Sequence, residues 1–222
     1  MSNRHLILGS RSPRRRELLR LLGLPFEVMA SDVREIPMAD ETPAQLATRL
    51  SRAKAHAVEL NGRGKALVIA CDTVVALPDG PAGTRILGKP GDAAEAEAML
   101  RRLRGRSHVV YSAATLYEAA GGAVTDLVKT ELKMRQYSDD EIEAYVASGD
   151  PMDKAGAYAI QHEGFRPVAE LEGCYANVMG LPLCHVARRL RNRGVETAPN
   201  VPAACQAHTG YACSVYRRVW TS

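Results

Sequence analysis

The sequence predicts an α/β fold: a mixed, twisted sheet flanked by helices. Three observations carry that expectation. Short apolar runs alternate with helix-period segments through the first third of the 222 residues. Residues 66–71 form a continuous apolar run, as a strand buried on both faces requires. Residues 107–118 and 123–135 are β-rich and joined by Ala-Gly-Gly, which reads as a hairpin. Parallel strand–helix units and an antiparallel hairpin then share one sheet.

In chain order, residues 5–9 are apolar and run as a strand into a Gly9-Ser10 turn. Ser12 is a good N-cap and Pro13 suits a first helical position, so a helix is expected over 13–22, closed by Gly23. Residues 25–30 read as a second strand, and 31–41 as an acidic loop. Thr42-Pro-Ala-Gln45 is a capping box that starts a helix running to about Leu60. The strand at 66–71 is followed by Pro-Asp-Gly within 77–89, a turn or hairpin. An Ala-rich helix spans 92–103, and Ser138-Asp-Asp-Glu141 is a second capping box, opening a helix that Gly149 ends. Short strands near 157–161 and 168–172 and a helix over 181–193 complete the expected domain, residues 1–195. Residues 196–222 lack periodicity and read as a C-terminal tail that need not be ordered.

A hydrophobic fraction of 46% supports a sizeable core, filled by aliphatic groups because only two Phe and one Trp are present. The net charge of +4 is mild, and the arginines are spread among acids. Without a basic stripe or an aromatic stacking platform, nucleic acid is not an expected partner. No apolar run approaches membrane-spanning length and no signal-peptide pattern opens the chain, so a cytoplasmic protein without a membrane partner is expected. The five cysteines show no CxxC pair and no zinc spacing. Cys71 and Cys184 read as small core residues, while Cys205 and Cys213 lie in the tail, where nothing requires them to pair.

Arg14, Arg15 and Arg16 fill the first turn of the first helix, the positive end of its dipole. An anion at the turn would account for them, because free N–H groups, the Ser10 hydroxyl and guanidinium forks suit phosphate. Asp72, followed by Thr73, ends the buried run, where an acid can serve as a general base or hold a divalent metal; a strand-end Asx turn is the plainer alternative. Lys54 shares a helix face with Leu46 and Leu50, and so either snorkels to water or points into a polar site. Lys89 precedes Pro90 on an extended loop, and Glu35 sits in the acidic loop as a solvated acid or a metal ligand. Asp153 and Lys154 stand before a small-residue turn that permits close approach to a ligand, and Gln161 offers a donor and an acceptor suited to a base edge. A tight turn without a ligand is the alternative there. No Walker loop and no His pair of metal spacing is present.

Taken in order, these segments resemble the Maf family of nucleotide pyrophosphatases. The matching motifs are Ser10 to Arg15, Glu35, Arg49 to Lys54, Asp72 to Val75, Gly88-Lys-Pro90, Asp153 to Tyr158 and Gly180-Leu-Pro-Leu183. The resemblance covers about residues 5–194. It implies a Maf/ITPase-like mixed α/β fold with a nucleotide cleft at the carboxyl ends of the strands. It also implies hydrolysis of a nucleoside triphosphate to monophosphate and pyrophosphate with Mg²⁺ or Mn²⁺, by a homodimer. In the same terms Asp72 is the base, Lys54 and Lys89 act in catalysis, and Glu35 with Asp72 holds the metal. Ser10, Arg14 and Lys154 bind substrate, and Arg15, Thr73 and Gln161 match the subgroup acting on dTTP and UTP. Two other readings of the same cleft stand beside this one: hydrolysis of methylated guanosine triphosphate, and nucleotide binding without catalysis by a cell-division regulator. Arg11 departs from the family's small residue inside the Ser-x-Ser turn, and the tail has no counterpart in the family pattern.

Overall fold

The computed structural model of the chain describes residues 4–58, 60, 66–80 and 83–220. Strand β1 (Leu6–Leu8) is wholly buried and feeds helix α1 (Pro13–Arg20). The Ser12 side chain caps that helix by accepting the Arg15 N–H at 3.4 Å, and Pro13 takes the first turn, where its missing N–H costs nothing. After β2 (Phe26–Val28), α2 (Pro43–His56) opens on the Thr42/Gln45 capping box. Then come β3 (Leu67–Pro78), β4 (Thr84–Leu87), α3 (Ala93–Leu103), β5 (Ser107–Glu118) and β6 (Gly122–Met134). The Ser138/Glu141 capping box opens α4 (Asp139–Ala147), which leads into two 3₁₀ turns at Asp150–Asp153 and Ala155–Ala157. Strand β7 (Val168–Glu172) is followed by α5 (Tyr175–Val178), α6 (Leu183–Arg191), α7 (Val201–Thr209) and α8 (Val215–Trp220).

The strands form one seven-stranded mixed sheet in the order β2-β1-β3-β5-β6-β7, with β4 also paired to β3. Along one edge β3 pairs antiparallel with β5, from Val68 opposite Tyr117 to Ala76 opposite Val109. Along the other it changes partner. Parallel pairing with β1 stops at Leu8 opposite Ile69, and antiparallel pairing with β4 covers Val75 opposite Leu87 to Pro78 opposite Thr84. Residues 70–74 are therefore left between two diverging neighbours, and the sheet is split there. The expectation that this strand ends at Cys71 is corrected: the apolar run is its first half. Asp72 and Thr73 interrupt the apolar pattern but not the strand, because pairing with β5 continues through both.

Side chains alternate across the sheet. Val68, Ala70 and Val74 pack on the α2 side, Val74 against Leu46, Ala47 and Leu50. Leu67, Ile69 and Cys71 pack on the opposite side with Leu18 of α1 and Leu190 of α6, and Val75 and Leu77 continue that side into the α3–α4 core. Helix α2 thus covers one face, and α1, α3, α4 and α6 pack on the other.

One further expectation changes. Residues 157–161 do not form a strand. Gly156 (φ 74°) and Ala157 (φ 58°) are left-handed, which extended backbone excludes, and the Gly156 N–H donates to the Gly88 carbonyl at 2.9 Å. Beyond Val195, α7 and α8 place Val201, Cys205 and Val219 in buried positions, and the Ala198 N–H donates to the Leu22 carbonyl at 2.8 Å. Asn200, Pro202 and Gly210 punctuate α7 as a helix should be, a signal outweighed in the sequence by weak apolar periodicity. Residues 221–222 of the tail, 81–82 of the hairpin turn, and 59 and 61–65 around the expected helix end at Leu60 lie outside the described residues. Among the described residues no helix is long and apolar enough to cross a membrane.

Candidate active site

The split in the sheet opens into a cleft of ≈ 390 Å³. It lies beyond the carboxyl ends of β1 and β2, whose following residues Gly9–Ser12 and Ala30–Val33 line it, and it reaches the middle of β3. Ser10, Arg14, Arg15, Glu35, Lys54, Asp72, Thr73, Lys89, Lys154 and Gln161 all line this one cleft. Because successive side chains alternate, Asp72 faces α2 and Thr73 faces α1.

On the α2 side, Lys54 Nζ donates to Asp72 Oδ1 and to Glu35 Oε1, both at 2.5 Å. The lysine does not snorkel: its side chain is 10% exposed and that of Asp72 5%. Two carboxylates compensate the ammonium. Burial pushes the Asp72 carboxyl above its ordinary value, against the opposing charge and hydrogen bond of Lys54 and the charge of Arg15. Burial also works to raise Glu35, but there the Lys54 hydrogen bond and the charges of Lys54, Lys89 and Arg15 prevail and hold it below the usual carboxylate value. Two acids in one site are thus pushed apart in proton affinity.

On the α1 side, the Arg15 guanidinium is held by three acceptors. Nε donates to the Gly180 carbonyl at 2.8 Å, Nη1 to Ser10 Oγ at 3.1 Å and Nη2 to Thr73 Oγ1 at 3.0 Å. Thr73 Oγ1 lies 2.9 Å from Ser112 Oγ, which donates to the Asn177 carbonyl at 2.8 Å. Arg15 is therefore fixed by partners within the protein. Arg14 lies 3.5 Å from an Asp153 carboxylate oxygen across the cleft mouth.

Lys154 is buried rather than free. Its Nζ donates to the Asp150 backbone carbonyl, to the Asp150 carboxylate at 3.0 Å and to the Asp153 carboxylate at 2.6 Å. Lys89 and Gln161 are exposed at the rim. The sequence reading missed the residues that hold the others: Ser112, Asn177 and the carbonyl of Gly180. Gly180 (φ +106°) has a specific reason to be glycine, since a Cβ there would stand 3.2 Å from both Arg15 Nε and Thr73 Oγ1. Also missed was Tyr158, a cleft wall whose hydroxyl lies 2.7 Å from Nε2 of His108, a histidine that burial keeps neutral by lowering its pKa to about 4. Ser112 and Asn177 carry no local signal, being small polar residues within apolar surroundings.

Relatives match most of this chain. A dTTP/UTP pyrophosphatase of Geotalea uraniireducens (strain Rf4) is 44% identical over 191 residues, 86% of this chain and 95% of that protein. One from Geobacter sulfurreducens is 46% identical over 195 residues, 87% of this chain and 99% of its own. One from Myxococcus xanthus is 47% identical over 190 residues, 86% of this chain and 93% of its own. Among solved structures, a nucleoside-triphosphatase/dITP/XTP pyrophosphatase from Mycobacterium abscessus aligns with 86% of this chain at 16% identity and a TM-score of 0.39, a distant likeness. The family described as Maf-like protein matches residues 5–193, a span that contains every residue lining the cleft, and the chain belongs to that family.

Proposed function

We propose that this protein hydrolyses dTTP and UTP to the nucleoside monophosphate and pyrophosphate. The observation that carries the chemistry is the Asp72–Lys54–Glu35 cluster, with Asp72 and Lys54 buried and Glu35 open to the cleft, beside the arginine-bearing turn at the start of α1. A base raised toward working pH by burial, a fixed lysine and an anion-ready helix start meet the needs of phosphoryl transfer, which are positioning and charge neutralisation more than covalent chemistry. The relatives' activity supports the substrate class.

In this reading Ser10, Arg14, Lys89 and the α1 N-terminus seat the triphosphate, and Lys154 holds the 150–161 segment against it. Asp72 accepts the proton of a water as its oxygen attacks phosphorus at the α–β anhydride. The bridging P–O bond breaks and pyrophosphate leaves. Lys54 orients the Asp72 carboxylate and favours its ionised form against the effect of burial. On the other side Arg15 and Thr73, with Gln161 at the rim, read the base edge. The donor set suits a hard divalent cation in type, since Glu35 and Asp72 offer carboxylate oxygens on the wall of the cleft. Mg²⁺ or Mn²⁺ would be held by those two acids with phosphate oxygens and water, and would supply charge neutralisation on the phosphates. A homodimer belongs to the same proposal, and sedimentation velocity tests it.

The deciding assay is pyrophosphate release from a panel of nucleoside triphosphates with Mg²⁺, Mn²⁺ or chelator. Metal-dependent turnover favouring dTTP and UTP is expected. Turnover of methylated guanosine triphosphate instead overturns the base assignment and keeps the chemistry. Tight binding without turnover moves the protein to the regulatory reading.

A further inference from the structure

Four thiols from two separate stretches of the chain meet at one seam behind the cleft. Cys174 caps the start of α5 and Cys184 lies in the first turn of α6; Cys205 lies in α7, and Cys213 on the link from α7 to α8. All four are free and line a single small cavity of ≈ 20 Å³, with Leu183 and Pro202 among its apolar walls. Cys174 and Cys184 bracket the segment whose Gly180 carbonyl holds Arg15. Cys205 and Cys213 belong to the stretch beyond the family match at 5–193. Core packing alone does not ask for thiols on both sides of such a seam. Free thiols brought to one seam from both sides can join by a sulfur–sulfur bond.

We infer that this seam is an oxidation site: a disulfide between a body thiol, Cys174 or Cys184, and an extension thiol, Cys205 or Cys213, staples the C-terminal helices to the segment that backs the cleft. Hydrogen peroxide is the co-reactant. One sulfur attacks the peroxide oxygen, the O–O bond breaks, and water leaves to give a sulfenic acid. The second sulfur then attacks that sulfur, the S–O bond breaks, a second water leaves and the S–S bond forms. Two thiols give up two electrons, and one peroxide becomes two waters. Cys184 and Cys213 are half-buried, so an oxidant reaches them first, while Cys174 and Cys205 are buried and suited to resolve. Burial raises the thiols of Cys174 and Cys184 to about 12 and that of Cys205 to about 11, so the reaction is slow and responds to sustained exposure.

Trypsin separates the two sides cleanly. Cys174 and Cys184 fall in one peptide ending at Arg188, and Cys205 and Cys213 in another, residues 194–217. The folded full-length protein is incubated with hydrogen peroxide, its remaining thiols are blocked, and it is digested without reductant. Mass spectrometry should find the two peptides joined within one molecule. The joined species should disappear with dithiothreitol and in the Cys205→Ser/Cys213→Ser variant. The oxidised protein should also melt several degrees higher than the reduced one, a difference that variant lacks. Loss of two hydrogens within the 194–217 peptide alone, bonds between molecules, sulfinic acid without a cross-link, or unreacted thiols would each overturn the inference. The mapping does not depend on turnover, so its failure is distinct from failure of the proposed activity.

Discussion

The two faces of strand β3 differ in kind at the split in the sheet. On the α2 side Asp72 sits in a charged cluster that is expensive to bury and is held together by one lysine. On the α1 side Thr73, its neighbour in sequence, sits in a neutral hydrogen-bonded net that anchors the Arg15 fork. Adjacent residues of one strand serve opposite faces because side chains alternate. A single break in the sheet therefore exposes both at once, and proton transfer and base recognition can be built from separate supports. Substitutions on the two sides should then leave different kinetic signatures.

The largest effect is expected from Asp72→Asn. Removing the base should lower kcat by about 10²- to 10⁴-fold while KM for dTTP stays within about threefold. A comparable rise in KM with kcat intact would break the division between the two sides. Lys54→Met comes next. Leaving two carboxylates without their shared cation should cost about 3–5 kcal/mol of stability, read by denaturant melts. It should also move the acid limb of the pH–rate profile upward. Asp72 must be ionised to act, so activity falls as pH drops through its raised pKa, and losing Lys54 removes a force that lowers it. The stability terms oppose one another. Asp72, raised, favours folding below its ordinary value and loses that contribution as pH rises through the folded pKa. Glu35, lowered, contributes above its ordinary value and loses it as pH falls through the folded pKa. Variants Glu35→Gln and Asp72→Asn should therefore change the pH dependence of the melting temperature in opposite senses.

On the other side, Gly180→Ala places a methyl against Arg15 and Thr73 at a left-handed φ, a strain of about 1–3 kcal/mol. Its KM for dTTP should rise roughly tenfold with kcat held, a split of about 1.4 kcal/mol. The smallest effect belongs to Thr73→Val, which removes one acceptor from Arg15. Loss of about 1 kcal/mol should reduce the preference for dTTP over methylated guanosine triphosphate about fivefold in kcat/KM ratios. An unchanged preference would detach Thr73 from base recognition.

Much of this arrangement was legible before the fold was known, where the signal is local. Ser12 with Pro13, and the two capping boxes, mark helix starts through hydrogen bonds made within four residues. The 107–134 hairpin follows from β-rich runs around glycines. What was not legible depends on distant partners. The apolar run at 66–71 cannot say that β3 trades β1 for β4 and continues to Pro78. Spacing placed Lys54 on an apolar helix face, but two acids from elsewhere in the chain decide that it turns inward. Residues 157–161 have strand composition, yet docking of Gly156 on Gly88 imposes a left-handed turn. Lys154 reads as a ligand-seeking cation until Asp150 and Asp153 are seen to hold it.

The split has a consequence for solubility. Residues 70–74 lie within a long apolar, β-prone strand whose backbone has no strand beside it on one edge. Such a stretch invites pairing with a foreign strand and is a seed for aggregation. Asp72 is the one charged residue within β3, so the proposed catalytic base also stands as the gatekeeper of that edge. Neutralising it removes both protections together, and activity losses in Asp72 variants should be read beside their light scattering.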